Sequence, residues 1–259
     1  MKPHTRPPKL PLPIYATGEH DCAYLPDRKA RTLFVDPPQP LDSSIYTSLD
    51  QAHGRHSTSR TSLVEQGFRR SGDYVYRPGC HGCSACISLR IPVQEFRLSR
   101  RHKRCLKANR AVTVHERTAV FRAEQFELYR RYINERHVGS QMADPTPQQY
   151  LEFLTTSWGD CVFYEFREKG ELLAVSVVDI LSNALSAVYT FYQPSLSKRS
   201  LGTLAIVWLI GEAQRRDFDY LYLGYWIAES DKMRYKADFV PHEIYVDNRW
   251  QRIAQQPSR

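Results

Sequence analysis

Apolar positions in the second half of the chain fall into short alternating runs separated by turn residues. Cys161 to Arg167 reads as a strand, Glu168-Lys-Gly170 as a turn and Glu171 to Leu181 as a second strand. Ser182-Asn183 then turns into a third strand, Ala184 to Tyr192, so the three predict an antiparallel meander. Ser200 precedes a run through Arg216 that is apolar nearly all round until Glu212. A capped helix with that pattern has to be buried. Asp219 to Tyr225 predicts a strand, Ser230 caps a short basic helix over Asp231 to Lys236, and Ile244 to Val246 predicts a last strand before an Asp247-Asn248 turn.

The pattern upstream is less regular. Pro3 to Pro13 and Asp36 to Pro40 are proline segments that stay extended, and Gly54 to Ser62 is polar. Ser62-Leu-Val-Glu65 has capping-box spacing, with Gly67 ending a short helix. Tyr74 to Tyr76 and Ile87 to Phe96 read as strands, the latter interrupted at Pro92. Ser99 to Arg110 is helical and basic, and Val112 to Glu116 is a strand. Phe126, Tyr129, Tyr132 and Ile133 form a helical stripe within Phe121 to Arg136. Thr146-Pro-Gln-Gln149 supplies a cap, a first-turn proline and a closing glutamine for a helix through Leu154.

These elements give an α+β chain without internal repeats. Residues 1–110 form a loop-rich, cysteine-containing N-terminal portion and residues 111–259 a second domain. Three strands, a buried helix, a strand, a helix and a strand is the order of an acetyltransferase-like (GNAT-type) mixed sheet. That fold splays two central strands beside a helix N-terminus. Arg199-Ser-Leu-Gly202 stands where such a fold binds phosphate: backbone N–H groups at a helix start suit an anion, and an arginine adds charge-assisted bonds. An ordinary capped helix accounts for the same four residues.

Composition narrows the partners. The 259 residues are 42% hydrophobic and 25% charged, enough to bury a core. A surplus of 36 Lys and Arg over 28 Asp and Glu favours phosphate-rich partners. The most apolar stretch, Leu201 to Ile210, is too short to span a membrane, and no secretory signal is evident. A cytoplasmic, reducing setting is therefore expected, in which six cysteines point to metal or thiol chemistry. Cys80-x-x-Cys83-x-x-Cys86 places three thiolates on a glycine-containing turn. The run is part of an iron–sulfur ligand set, or of a zinc site completed by His81, Cys22 or Cys105, or a structural turn with free thiols.

Several segments together resemble the bacterial branch of the arginyl-tRNA–protein transferase family. They are Cys22-Ala-Tyr-Leu-Pro26 with Arg31 to Asp36, Gly67-Phe-Arg-Arg-Ser-Gly72, and Tyr76-Arg-Pro-Gly-Cys-His-Gly-Cys-Ser-Ala-Cys86. Ser99 to Asn109, Phe191 to Ile206, and Leu223-Gly-Tyr-Trp-Ile227 with Lys232-Met-Arg-Tyr-Lys236 complete the series, in order along the chain. The resemblance implies a transferase that moves leucine from Leu-tRNA to the N-terminal Asp or Glu of proteins and marks them for degradation by the N-degron route. It also implies metal or redox capacity near the acceptor site in some members; the ligands expected for a metal here are Cys22, Cys80, Cys83 and Cys86.

Aminolysis of an ester needs no strong base, because an α-amine with a pKa of about 8 is partly neutral at cell pH. No cofactor is required either. Positioning and an oxyanion donor can supply most of the rate, so the features expected are a tRNA cradle, a cationic pocket for the acceptor carboxylate and an apolar pocket for leucine. For the cradle the sequence offers Arg100, Arg101, His102, Lys103, Arg104, Lys107 and Arg110 on one helix, with Lys232, Arg234 and Lys236 as a second group. Tyr225 and Trp226 can stack on unpaired bases, and Arg199, Ser200 and Gly202 can hold the terminal phosphate or ribose. For the acceptor it offers Arg31, Arg77 and the Tyr24 hydroxyl, with Asp179 and Glu165 able to orient the amine. No catalytic base is singled out. The alternatives are arginine as the donor residue, a CoA-dependent N-acetyltransferase, and a non-catalytic RNA-binding or metal-dependent adaptor. A CoA loop calls for a second Gly or Ala two residues after Gly202, where this chain has Leu204.

Overall fold

The computed structural model describes residues 13–35, 60–136, 143–157 and 159–253. The proline segments before Pro13 and at 36–40, and residues 54–59 of the polar stretch, lie outside them. In chain order the elements begin with short strands β1 (Ile14–Ala16), β2 (His20–Asp21), β3 (Lys29–Ala30) and β4 (Thr32–Val35). A helix, α1, covers residues 60–65. Next come β5 (Arg69–Ser71), β6 (Tyr74–Pro78), β7 (Ile87–Pro92), α2 (Arg100–Ala108), β8 (Thr113–Thr118), α3 (Ala123–Arg136) and α4 (Pro147–Leu154). The chain continues with β9 (Cys161–Glu168), β10 (Glu171–Ile180), β11 (Ala184–Tyr192), α5 (Leu201–Arg215), β12 (Tyr220–Trp226), β13 (Glu243–Val246) and β14 (Arg249–Arg252).

The meander forms as its turns require. Lys169 and Gly170 both take positive φ between β9 and β10, the geometry of a two-residue hairpin turn. It extends into an eight-stranded mixed sheet of order β14-β13-β7-β12-β11-β10-β9-β8. A second sheet, β1-β4-β6-β5, carries the N-terminal residues. The large sheet is covered on both faces, which is why β10 is buried along nearly its whole length. Tyr164 and Phe166 of β9 pack with Leu201, Ala205, Leu209 and Ile210 of α5 on one side. Phe163 packs with Phe126, Ile133, Tyr150 and Leu154 of α3 and α4 on the other. Each fully buried side chain of this kind stabilises the fold by roughly 1.5–3 kcal/mol.

The cap expected at Thr146 is present as a reciprocal box with Gln149, and Ser99 caps α2 in the same way with His102. Three other expectations are corrected. Ser62 does not start its helix, which already runs at residue 60, although Gly67 ends the segment with φ +84°. Ser200 occupies the N-cap of α5 in a left-handed conformation, and its side chain makes no capping bond. Ser230 holds a turn through its carbonyl, followed by a 3-10 turn at Arg234–Asp238 rather than an α-helix from Asp231. The strand predicted last, β13, is followed by one more, β14.

β7, which precedes residue 110, lies inside the large sheet between β13 and β12. The small sheet is tied to the large one through buried charge. Asp179 on β10 takes both Nε and Nη2 of Arg70 from β5, and Arg60 of α1 lies 2.5 Å away. Burial works against ionising Asp179, but Arg70 and Arg60 outweigh it and hold the carboxyl below its ordinary value. Removing one partner of such a buried pair costs about 3–5 kcal/mol.

Candidate functional site

The sheet opens at a parallel junction, the one found among the described residues. β11 and β12 pair only from Ala184/Tyr220 to Ser186/Tyr222, after which no pairing joins them. β12 stays with β7 across a bulge between Tyr222 and Tyr225, where Gly224 takes φ +75°. A bulge at this place re-aims the strand and frees it from β11. The 3-10 turn Arg234–Asp238 closes over the parting. Its Lys236 donates to the Tyr225 carbonyl at 2.6 Å, and Tyr235 lies within electrostatic reach of Tyr192 on β11. Tyr24, from the N-terminal portion, lies within the same reach of Tyr76 and Tyr189, so hydroxyls from the two sheets surround the opening.

Beside the parting, a cleft of about 330 Å³ separates the two sheets. Leu33, Arg77, Pro78 and Gly79 form one wall, and Gly67, Cys86, Ser88, Tyr225 and Tyr245 the other. A Cβ at Gly67 would come within 2.9 Å of the Tyr245 ring, so the chain turns here only as glycine. The Arg77 guanidinium sits 4.8 Å over the Phe68 ring. It has no carboxylate partner among the described residues.

The other acceptor candidates are placed differently. Arg31 is held against His81 at 3.0 Å and donates its backbone N–H to the Cys80 thiol, bracing the cysteine turn rather than lining the cleft. Tyr24 is 43% exposed at the opening. Asp179 belongs to the buried ion cluster, and Glu165 is enclosed by Gln125, Arg117 and Arg167 on the α3 side of the sheet. Neither is free to orient an amine.

The basic helix α2 is exposed as expected on Arg100, Arg101, Lys103, Arg104 and Lys107, with Arg110 just beyond it. Of these only Arg101 has an acid partner among the described residues, Asp238 at 2.7 Å. His102 is not part of that face. It is buried and stacked on Phe239, with ring centroids 5.0 Å apart, and burial lowers its pKa. α2 therefore docks on the turn that closes the parting, and Arg101, Thr203 of α5 and Tyr235 border one small crevice.

The remaining tRNA candidates divide. Lys232 is exposed, and Arg234 is exposed but pairs with Asp231. Arg199 turns inward to Glu168 at 2.8 Å and to Asn109. Ser200 is exposed at the start of α5, and a Cβ on Gly202 would lie 3.5 Å from Tyr192. Tyr225 is not an open platform: its hydroxyl donates to the carbonyls of Gly67 and Tyr76. The Trp226 ring packs against the α5 core. Lys236 is 8% exposed and faces inward.

The thiols of Cys22, Cys80 and Cys83 lie close enough to Cys86 to affect its ionisation; burial first, then these neighbours, push Cys86 up to about 11. Cys83 is lowered by a backbone N–H at Ala85 and by Arg28, which donates to it at 3.3 Å. Thiolates suit zinc or an iron–sulfur cluster. As placed, however, no three His, Cys, Asp or Glu side chains among the described residues converge as metal ligands. Cys105 faces the Arg199 and Ser200 carbonyls on α2, away from the run.

Fold and site define an α+β protein with a large mixed sheet, a strand parting at its centre and separate cationic features on two sides. The family model described as "Arginine-tRNA-protein transferase, N terminus" matches residues 20–104, and the one described as "Arginine-tRNA-protein transferase, C terminus" matches residues 124–246. A protein of Alkalilimnicola ehrlichii named aspartate/glutamate leucyltransferase is 52% identical over 94% of this chain and 96% of its own length. Proteins of the same name from Pseudomonas putida and Alcanivorax borkumensis are 47% and 48% identical over 92% of this chain, and over 96% and 93% of their own lengths. Among solved structures, that of FemX is matched with a TM-score of 0.45 and 9% identity, covering 85% of this chain and 81% of that one. The chain belongs to the arginine-tRNA-protein transferase family.

Arg69 is among the residues near the parting that sequence reasoning missed. Arg69, on β5, is buried against Tyr222 and Tyr225, with its guanidinium carbon 5.5 and 5.7 Å from their ring centroids. The signal available was its position in Gly67-Phe-Arg-Arg-Ser-Gly72.

Proposed function

We propose that this protein is an aminoacyl-tRNA–protein transferase that moves leucine from Leu-tRNA to proteins beginning with Asp or Glu. The donor assignment is supported by relatives of that name at about half identity over nearly the whole chain. The observation that carries the acceptor assignment is Arg77, a cation in the wall of a cleft beside the strand parting, without a carboxylate partner among the described residues. An acidic side chain entering the cleft supplies that partner with charge-assisted hydrogen bonds.

The large sheet is read as acetyltransferase-like, because its two parallel strands part beside the start of a buried helix. The aminoacyl end of the tRNA enters at that parting, with α2 holding the phosphates of the acceptor stem. The acceptor α-amine attacks the ester carbonyl carbon from the cleft side. The C–N bond forms, the ester C–O bond breaks, and the proton lost by the amine leaves with the ribose 3′ oxygen. The residues align the two substrates, which is where most of the acceleration of an aminolysis can arise. No cofactor takes part.

Arg77→Ala tests the acceptor side. It is expected to raise KM for an Asp-starting peptide by ten-fold or more, a loss of about 1.4 kcal/mol or more, and to leave Leu-tRNA affinity within two-fold. An unchanged peptide KM would overturn the assignment.

A further inference from the structure

Two buried cations flank Tyr225 on the strand that borders the parting. Arg69 is 7% exposed and Lys236 is 8% exposed. Arg69 donates through Nη1 to the Val64 and Phe68 carbonyls, while its Nε and Nη2 have no hydrogen-bond partner. Lys236 spends one N–H on the Tyr225 carbonyl. Among the described residues neither cation has a carboxylate partner, unlike Arg60 and Arg70, which share Asp179 nearby. The ionisable neighbours around Arg69 are the Tyr76, Tyr222 and Tyr225 hydroxyls, and Arg69 disfavours the charge on Lys236. A buried guanidinium with open N–H groups is costly unless something anionic completes it.

We propose that Arg69 and Lys236 form the oxyanion site of the transfer reaction, binding the carbonyl oxygen of the aminoacyl ester where β11 leaves β12 uncovered. The inference rests on the transferase reading above. When the acceptor amine bonds to the ester carbon, the carbonyl π pair moves onto oxygen and a negative charge appears that the ground state lacks. The open N–H groups of Arg69 and the Lys236 ammonium meet that charge in a site already closed to water. Interactions made only at this stage accelerate the chemical step without tightening substrate binding. When the intermediate collapses, the pair returns to the carbonyl, the ribose oxygen departs, and the site is again short of an anion. The same need accounts for the lack of a carboxylate partner among the described residues: a resident carboxylate would neutralise the pair before reaction.

The test compares the wild type with Lys236→Met and Arg69→Lys, each checked for folding by circular dichroism and for Leu-tRNA binding. Single-turnover transfer to an Asp-starting peptide is expected to slow by about 10²–10³-fold in Lys236→Met, with KM for peptide and tRNA within about two-fold. Two adenosine analogues then separate catalysis from structure. A 3′-linked phosphonate that mimics the tetrahedral adduct should lose affinity for Lys236→Met by a factor similar to the loss in kcat. A neutral amide-linked leucyl-adenosine should bind both proteins equally. Equal loss of affinity for both analogues, or an unchanged kcat in folded Lys236→Met, would overturn the oxyanion assignment while wild-type transfer still upholds the transferase reading. If Lys236→Met fails to fold, Arg69→Lys carries the same comparison, because it keeps the charge and removes the forked donors. Absence of transfer by the wild type would remove the reading itself, and the inference with it.

Discussion

Burial, and then the neighbouring Arg69, pull the Lys236 ammonium from its ordinary value down to about 7. Its folded value is therefore depressed below its unfolded one of about 10.4. Between those limits the unfolded chain holds a proton that the folded chain has released, so stability from this residue rises with pH from about 7 towards 10. Below 7 the full cost of burying the charge is present. Urea midpoints of the wild type should therefore climb between pH 6 and 9, and Lys236→Met should flatten that climb. Parallel curves for the two proteins would contradict the placement. The sequence displayed Lys236 as the last of three alternating cations, expected to face tRNA together with Lys232 and Arg234, which are exposed where it is buried. What it lacked was the bulge at Gly224, which brings the Tyr225 carbonyl over the side chain. Arg69 and Arg70 read as a polar pair for a similar reason. Neighbours on a strand face opposite sides, and only the pairing of β5 with β6 sends one to Asp179 and the other to Tyr225.

At the scale of elements, the meander, the buried helix and the cap of α4 were legible because local chemistry decides them. Alternation, turn dipeptides and capping boxes need no distant partner. Strands β1 to β4 were not legible, being short, and β1 exposes every residue, so no buried face imposes a pattern. β5 is buried but spelled Arg-Arg-Ser, which hydrophobic periodicity reads as loop. α2 shows the limit of a composition argument in the other direction. Its charge density pointed to phosphate, and the exposed Arg100, Lys103, Arg104 and Lys107 are consistent with that, but His102 is a packing residue locked by the cap and by Phe239. The triple replacement of Arg100, Lys103 and Arg104 by Ala should weaken tRNA binding and shallow its dependence on salt by up to about 0.9 log units per lost phosphate contact. Identical salt slopes for variant and wild type would move the tRNA to another face.

Across the whole molecule, three regions distant in sequence meet at one opening. The N-terminal portion brings Tyr24, Arg69 and Arg77, the meander brings Tyr189 and Tyr192, and the segment after β12 brings Lys236. The described chain holds no helix long and apolar enough to cross a membrane. The buried Arg60–Asp179–Arg70 cluster joins the small sheet to β10, so the cleft wall carrying Arg77 is fixed to the sheet whose strands part. None of this convergence can be read along the sequence, because each partner is specified only by tertiary pairing. The central claim is leucine transfer onto an acidic N-terminus, and a mass-spectrometric transfer assay tests it most directly. Purified protein is mixed with peptides beginning with Asp, Glu or Ala and with tRNA charged with leucine or with arginine. A leucine-sized gain is expected on the Asp and Glu peptides alone. An arginine-sized gain, or leucine added to the Ala peptide as readily as to the Asp peptide, would contradict it.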